Sequence, residues 1–343
     1  STSDMKILEI RVEEKPTGEI TAGAGTGTEG TTFSFALAEN NYLGKGLRVD
    51  ASIDASESSL RGGLDVTNPN YNYSGNLVYG GISSKKTDRT ESGYENTLTL
   101  LKLGTKFEQY DDIFLSPGLE FSFDDLKVDD TASSALKKQA GNFTDFLFNY
   151  SIEKDTRDRS FMPTDGSLIS FSQGIPLYAD ESSSVFNALS MSKYYGFSDD
   201  VIGAVKFYVA GITAIEDDVR LSKRLHIPSK RLRGFGSRQV GPKDGGDYIG
   251  GNYASALNFE AALPNLLPEG TQTDIAAFMD IGNLWHADYD SSIAQSSKIR
   301  SSIGFATNMF TPIGPLNFVI AQDLSAADSD STQTFKFEIG TSF

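Results

Sequence analysis

Apolar and polar residues alternate with a period of two along most of this chain. In the C-terminal stretch TFKFEIGTSF, Phe335 and Phe337 fall on one side, while Lys336 and Glu338 fall on the other. Successive side chains of a β-strand point to opposite faces, so this pattern predicts strands with one apolar and one polar face. Similar segments recur from residue 18 to residue 343, which predicts an almost entirely β protein.

The length of these segments favours a membrane barrel over a soluble β-sandwich. Roughly sixteen segments of about ten residues are separated by turn residues, whereas strands of soluble proteins commonly have about five or six. A tilted strand needs about 9–11 residues to cross the hydrocarbon, and closure pairs every backbone donor and acceptor. The pattern therefore predicts a transmembrane antiparallel β-barrel of about 16 strands, with its polar face lining a lumen. A solvent-exposed all-β protein is the alternative.

The amino-acid composition argues against several classes of function. The 343 residues include no cysteine, so disulfides and thiolate metal sites are excluded. Histidine-based catalysis is poorly supplied, because only His226 and His286 are present. The net charge of −16 argues against nucleic acid as a partner, since that partner requires a basic surface. We predict no catalytic residues, no metal and no cofactor.

Long connecting segments, at 124–142, 212–251 and 283–298, contrast with short turns such as residues 39–46. Long loops on one rim and short turns on the other are typical of outer-membrane barrels. Acidic doublets lie in or near the links but lack the alternating spacing of a calcium loop, so we interpret them as solvated rims. These doublets are Asp111-Asp112, Asp124-Asp125, Asp129-Asp130, Asp199-Asp200 and Asp217-Asp218.

The segment KRLRGFGSRQVGPKDGG (230–246) carries a concentration of positive charge that the rest of this acidic chain lacks. One interpretation is a solvated surface loop, and another is a contact with nucleic acid. A phosphate-binding loop at 245–251 is a weaker interpretation, because the segment lacks the Lys-Ser/Thr pair and the helix that should follow it. The period-two register suggests another: Glu260, Phe278 and Asp280 fall on the predicted inner face of the next two strands. We therefore predict that loop 212–251 folds inward and that Arg233 reaches these carboxylates in a two-pronged contact. Six positive residues lie between positions 223 and 238: Lys223, Arg224, Lys230, Arg231, Arg233 and Arg238.

Several motifs in this loop and elsewhere resemble those of the BamA family of outer-membrane assembly factors. Leu232-Arg233-Gly234-Phe235, followed by Val240-Gly241-Pro242, resembles the family's (V/L)RGF loop motif. The resemblance extends to the last residue, and its motifs occur in the family's order. The other matching segments are 12–18, 40–46, 158–166, 250–252, 259–260, 278–285, 309–316 and Phe343.

This resemblance implies a sixteen-stranded polypeptide-transport barrel at 18–343, preceded at 1–17 by the C-terminal stub of a POTRA periplasmic module. It implies integral insertion in the outer membrane of a Gram-negative bacterium. The implied partners are nascent outer-membrane β-barrel proteins, outer-membrane lipid or lipopolysaccharide, and accessory lipoproteins recruited through further POTRA modules. In the family, the loop arginine contacts wall acids that map onto Glu260 and Asp280.

The two ends of the predicted barrel meet at a seam. The first strand, EITAGAGTGT (19–28), contains Gly23, Gly25 and Gly27, and the last strand ends with Gly340 and Phe343. Glycine weakens strand pairing, so we expect this ladder to be the least stable. Opening it would expose an unpaired edge to which an incoming strand can add, which makes the seam a lateral gate. Alternatively, the glycines mark a sharp bend.

The resemblance therefore implies a protein insertase that makes and breaks no covalent bond. Related translocation barrels, TamA-like or of two-partner secretion, share the LRGF motif and stay open as alternatives. A diffusion porin would have a conducting lumen without a tethered loop. An outer-membrane hydrolase would need a serine beside His226 or His286, and the sequence shows no such pairing.

Overall fold

The computed structural model describes residues 11, 13, 15–160, 162–264, 266–267, 273–289, 293, 295–311 and 314–342. Most of the predicted POTRA stub at 1–17 lies outside these residues, as does Phe343. No helix among them is long and apolar enough to cross a membrane.

Within the described residues, sixteen antiparallel strands close into a barrel, which confirms the predicted fold class. The barrel strands are β1 (Gly18–Gly27), β2 (Gly30–Tyr42), β3 (Leu47–Ser56), β4 (Ser59–Tyr71), β5 (Asn76–Arg89), β6 (Tyr94–Tyr110), β7 (Ile113–Val128), β8 (Gly141–Asp155), β9 (Gly166–Ala179), β10 (Ser184–Ser198), β11 (Val201–Ala214), β14 (Tyr253–Leu263), β15 (Thr273–Trp285), β16 (Arg300–Thr311), β17 (Gly314–Ser325) and β18 (Phe335–Ser342).

The remaining elements are small and lie in the connections. Strands β12 (Lys243–Asp244) and β13 (Asp247–Tyr248) form a separate hairpin. A single helical turn, α1 (Ser134–Lys137), precedes β8, and short 3-10 turns occupy Thr90–Ser92, Leu221–Lys223 and Ser229–Arg231. Each barrel strand pairs with the next one along the chain, except that β11 pairs with β14 because the β12–β13 hairpin lies in the intervening loop.

The three longest connections share one rim, as the sequence predicts, although the opposite rim also carries the connection at 156–165. Turns at 43–46, 72–75, 111–112 and 199–200 lie on one rim. The longer connections at 129–140, 215–252, 286–299 and 326–334 lie on the other, which we call the long-loop rim. The predicted bounds of three long links are wrong by one to five residues, because strands β7, β11 and β15 continue to Val128, Ala214 and Trp285.

Alternation along the strands separates an apolar outer wall from a polar lumen. Ile20, Phe33, Ile53 and Leu101 are exposed on the outside. Buried apolar side chains instead cluster where loops meet. One set, which we call the rim cluster, lies at the long-loop rim and includes Tyr94, Leu126, Leu136, Phe143, Leu221 and Ile249.

The strand register places several polar residues side by side on the inner wall. Asn258 of β14 pairs with Asp280 of β15, and Glu260 pairs with Phe278. Because side chains of directly paired residues point to the same face, these four form one patch of the lumen wall. Glu260, Phe278 and Asp280 therefore lie on the inner face, where the period-two pattern of the sequence places them.

The seam between β1 and β18 is short. In the part of the chain that the structure describes, it pairs five residues, from Gly23↔Ser342 to Gly27↔Glu338, whereas β1 pairs with β2 over ten residues, from Gly18↔Glu39 to Gly27↔Gly30. Near the long-loop rim, the backbone N–H of Thr28 donates to the carbonyl of Phe337 at 3.0 Å, and Lys336 forms an ion pair with Glu29. The barrel is closed, but few backbone hydrogen bonds close it.

Gly27 has a steric role in this closure. A Cβ atom on Gly27 would lie 2.4 Å from the backbone oxygen of Phe337, whereas a Cβ on Gly340, on the facing strand, would meet nothing nearer than 4.0 Å. Side-chain volume at Gly27 therefore pushes the two strands apart, while the same volume at Gly340 does not.

We expect Gly27→Ala to loosen the seam and Gly340→Ala to leave it closed. Thr26 and Ile339 are directly paired across the seam, and the chain contains no cysteine, so Thr26→Cys with Ile339→Cys gives a clean disulfide reporter. In this background, Gly27→Ala should reduce the oxidation yield at least about threefold, since a disulfide tolerates little extra separation. Equal yields for the two alanine variants would refute the steric role of Gly27.

Candidate functional site

The segment between β11 and β14, residues 215–252, folds back against the inner wall of the barrel, and we call it the tether loop. Its residues Ile227, Leu232, Phe235 and Val240 pack in a buried cluster with Ala254 of β14 and Leu284 of β15. Most of its path is irregular backbone, but residues 234–239 also form backbone hydrogen bonds with residues 331–333 of the β17–β18 connection, where Phe235 pairs with Thr332.

Gly234 allows the loop motif to lie directly on the wall. Its φ of +87° is a conformation that other residues rarely adopt. A Cβ there would also lie 3.1 Å from the Cβ of Ala321 and 3.2 Å from that of Ser302. The glycine therefore serves two needs, a left-handed turn and a close approach to β16 and β17, and it brings Arg233 beside β15.

Arg233 makes a two-pronged contact with Asp280. Its Nε donates to Oδ2 and its Nη2 donates to Oδ1, both at 2.7 Å, and its backbone N–H also donates to Oδ2 at 2.9 Å. Nη1 lies 3.0 Å from Oε1 of Glu260, and the guanidinium carbon lies 3.6 Å from the ring centre of Phe278. The side chain of Asp280 is 0% exposed and that of Arg233 is 11% exposed. The structure thus brings together Arg233, Glu260, Phe278 and Asp280.

Two further residues complete this arrangement, and the sequence analysis assigned them no role. Nδ2 of Asn258 donates to Oδ1 of Asp280 at 2.8 Å and to the carbonyl of Arg231 at 2.8 Å. Lys206 of β11 forms an ion pair with Glu260 on the side away from Arg233. Asn258 lies two positions before Glu260 on the same strand, so the period-two pattern could have placed it on the inner face. Lys206 lies on a strand that precedes the loop, and the sequence indicates no partner for it.

The other positive residues of the loop are held in different ways. Arg224 pairs with Asp288, Arg238 with Glu91 and Lys223 with Asp145, at 2.6, 3.1 and 2.9 Å. Arg231 lies over the ring of Tyr208 at 4.4 Å and donates to Ser190. Lys230 is exposed. The loop is basic because the wall and the neighbouring loops present carboxylates to it.

One acidic doublet is misassigned by the sequence analysis. Asp124 was predicted to lie on a solvated rim with Asp125, but it is 3% exposed and points into the barrel. It accepts hydrogen bonds from Asn96 at 2.9 Å and from the hydroxyl of Ser222 in the tether loop. Because β7 extends to Val128, period two places Asp124 inward and Asp125 outward.

His226 and His286 occupy structural positions. Nη2 of Arg238 lies 2.8 Å from Nε2 of His226, and the ring of His286 lies 5.7 Å from that of Tyr253. In the described part of the chain, no serine hydroxyl forms a hydrogen bond with either imidazole, so the geometry gives a hydrolase no support.

Comparison with known proteins places this site in a family context. A family model for the Omp85 superfamily domain matches residues 41–343. The outer membrane protein assembly factor BamA of Neorickettsia risticii is 24% identical over 347 residues, covering 98% of this chain and 46% of that protein. BamA of Neisseria meningitidis is 22% identical over 407 residues, covering 100% and 49%. The chain therefore spans about half the length of these curated relatives.

A solved structure supports the same fold. The crystal structure of BamA from Haemophilus ducreyi lacking POTRA domains 1-3 superimposes with a TM-score of 0.86 at 21% sequence identity. The match covers 96% of this chain and 71% of that one. At this level of identity, the agreement concerns the arrangement of strands.

Reversing the charge of Arg233 should destabilise the barrel. Arg233→Glu removes the guanidinium from Asp280 and Glu260 and places a third carboxylate beside them, and breaking a buried pair on one side costs about 3–5 kcal/mol. We expect a loss of that order in the free energy of unfolding, measured by urea titration in lipid vesicles. Adding Asp280→Arg should restore only part of it, because Asn258 and the backbone N–H of Arg233 still need the acceptor that Asp280 provides.

Lys230→Glu is the matched control, since it makes the same charge change in the same loop at an exposed position. It should cost less than about 1 kcal/mol, the usual value for exposed charges. If Lys230→Glu and Arg233→Glu destabilise the barrel equally, bulk charge rather than the wall contact holds the loop.

Acidification should weaken the tether loop through His226. A guanidinium only donates hydrogen bonds, so the contact with Arg238 needs a free lone pair on Nε2. Burial of the ring, together with the positive charges of Arg238 and Arg89, lowers the pKa of His226 well below its ordinary value. The unfolded chain therefore binds a proton first, and stability falls as pH drops below about 6.5 toward the lowered pKa.

His226→Gln should remove this component, since a glutamine carbonyl can accept the same hydrogen bond and does not titrate. The measurement compares the drop in melting temperature between pH 7.5 and pH 5 for the two proteins. An identical drop would show that His226 does not contribute to the pH dependence.

Proposed function

The chain belongs to the Omp85 superfamily, and from this membership we propose that it forms the barrel of an outer-membrane protein assembly factor of the BamA type. Its localisation is the outer membrane, where the apolar outer wall faces lipid. In the proposed activity, the barrel folds and inserts other β-barrel proteins through its seam. The family resemblance of the loop motif and the strand count support this assignment over an unrelated pore.

The proposed partners are nascent outer-membrane β-barrel proteins, outer-membrane lipid or lipopolysaccharide, and accessory lipoproteins that bind POTRA modules. The activity transfers a strand from one set of hydrogen bonds to another, so no covalent chemistry is required and we propose no enzymatic role. Residues 1–17 are proposed to join the barrel to its POTRA modules. Recruitment of substrate is proposed to depend on such modules, so the barrel alone should insert substrates inefficiently.

The observation that carries the proposal is the length of the seam. Within the described residues, five residue pairs join β1 to β18, as five join β17 to β18, compared with ten that join β1 to β2. Opening the seam therefore sacrifices few hydrogen bonds and leaves the backbone groups of β1 unpaired within the membrane. An incoming strand can satisfy those groups by β-augmentation, which offsets the cost of leaving them unpaired in lipid.

The tether loop is compatible with this role because its main contacts avoid the seam strands. Arg233 and the buried loop residues bind β14 and β15, and β16, β17 and β18 separate this wall from β1. Its backbone hydrogen bonds to residues 331–333 join it to the β17–β18 connection and not to β18 itself, so the loop can remain in place while β1 and β18 part. Its position across the lumen also argues against a wide diffusion pore.

A reversible lock on the seam tests the proposal. Thr26→Cys with Ile339→Cys joins the directly paired positions of β1 and β18. When oxidised, this variant should insert a test β-barrel protein into lipid vesicles at less than about a tenth of the rate of the reduced form, because the edge of β1 stays paired. Reductant should restore the rate.

Thr26→Cys alone controls for the substitution and for oxidation. Insertion that continues unchanged in the oxidised double variant would refute entry through the seam. A steady, large current in planar bilayers with no insertion activity would instead favour a porin.

A further inference from the structure

A second arginine of the tether loop is more deeply buried than Arg233 and binds a different part of the wall. The side chain of Arg220 is 1% exposed, and its Nη1 lies 3.1 Å from Oδ2 of Asp145 on β8. Its Nη2 donates to Oδ1 of the same carboxylate at 3.4 Å, and Nη1 also lies 3.9 Å from Asp124 on β7. The contact is two-pronged, as that of Arg233 is.

The surroundings of Arg220 hold its guanidinium on one face and along its edge. The guanidinium carbon lies 3.8 Å from the ring centre of Phe143, which allows a cation–π contact. Nη2 also donates to the carbonyl of Asp180 at 3.2 Å, and the backbone N–H of Arg220 donates to the hydroxyl of Ser182 at 3.1 Å. Arg220 therefore joins the tether loop to β8 and to the β9–β10 connection.

The charges at this place balance within the protein. Lys223 lies 2.9 Å from Asp145, so two cations, Arg220 and Lys223, face two carboxylates, Asp124 and Asp145. The hydroxyl of Ser222 donates to Asp124. Because the set is buried and balanced, removing one member leaves an opposite charge without a partner in a poorly solvated place.

This arrangement is separate from that of Arg233. Strands β9, β10 and β11 lie between β8 and β14 in the barrel, and no described residue contacts both guanidinium groups through an ion pair or hydrogen bond. Leu221, next to Arg220, belongs to the rim cluster, which packs loop residues over the long-loop end of the lumen. Arg224 adds a contact with Asp288 in the β15–β16 connection.

We propose that Arg220, with Asp145 and Asp124, forms a second anchor that holds the tether loop and closes the long-loop mouth of the barrel independently of Arg233. Arg220 acts as a positioning residue, because it holds Leu221 and the rim cluster in place over the mouth. Loss of Arg233 then frees the loop motif from β15 while the mouth stays closed. Loss of Arg220 opens the mouth while the motif stays bound.

Hydrogen exchange resolved by mass spectrometry distinguishes the two anchors. Methionine replaces each arginine with a chain of similar length and no charge. Arg220→Met should speed exchange of the hydrogen-bonded amides at 219–221 by about tenfold to a hundredfold, as expected when a buried pair is broken. The amides of Arg233 and Gly236 should stay protected. Arg233→Met should give the reverse pattern.

Arg231→Met is the matched control. It removes a loop guanidinium that contacts only a serine hydroxyl and a tyrosine ring in the described structure, so neither set of amides should respond. Arg220→Lys should give an intermediate effect at 219–221, since it keeps the charge but not the two-pronged geometry.

Ion current through planar bilayers reports on the mouth itself. Arg220→Met should raise the frequency of open events at least about threefold over the unaltered protein and Arg233→Met, because a single broken ion pair shifts a two-state equilibrium by that much or more. The double variant Arg220→Asp with Asp145→Arg restores the opposite charges in exchanged positions. It should bring the frequency of open events back toward that of the unaltered protein, which a change in packing volume alone would not do.

Two results would overturn the proposal: unchanged exchange at 219–221 in Arg220→Met, or equal acceleration at Arg233 and Gly236. If Arg220→Met fails to fold, Asp145→Asn serves in its place. It preserves shape and one acceptor while removing the charge, and it should accelerate exchange at 219–221 alone. Protection there equal to that of the unaltered protein would then reject the second anchor.

Discussion

The contact between Arg233 and Asp280 fixes the loop motif, residues 232–235, on the inner wall of the barrel. Removing a carboxylate from water is costly unless its acceptor positions are filled. Asp280 receives hydrogen bonds from Nε, Nη2 and the backbone N–H of Arg233, and another from Asn258. An irregular loop without a strand ladder can therefore hold a fixed position, because one buried acid specifies both a side chain and the backbone that carries it.

A membrane barrel explains why this specification is electrostatic. Its apolar residues face outward, as Ile20 and Phe33 do, so they cannot form a central core. The lumen is polar, and a segment that enters it must compensate the charges it finds there. The chain carries a net charge of −16, and the segment that lies against its inner wall is rich in arginine and lysine. The loop contributes apolar contacts too, through Leu232 and Phe235.

The sequence predicts one anchor and not the other for a definite physical reason. Glu260 and Asp280 follow the loop on adjacent strands of clear period two, so parity alone puts both carboxylates inward. Asp124 lies where the pattern of β7 ends in FDDLKV, and there the apolar alternation that defines parity is lost. Arg220 precedes the dense basic run at 223–238, and its partners lie 75 and 96 positions earlier in the chain. Pairings of that range follow from barrel closure and not from local pattern.

A strongly held loop and a weakly held seam are complementary features of one design. Five residue pairs join strand β1 to β18 among the described residues, and Gly27, which has no side chain, leaves room for the facing backbone. If the loop were bound to β1 or β18, each opening of the seam would also break buried ion pairs. Its guanidinium groups instead bind β14, β15 and β8, which lie on the wall away from the seam. Opening therefore breaks a few backbone hydrogen bonds and the ion pair between Lys336 and Glu29, and an incoming strand can replace the backbone hydrogen bonds.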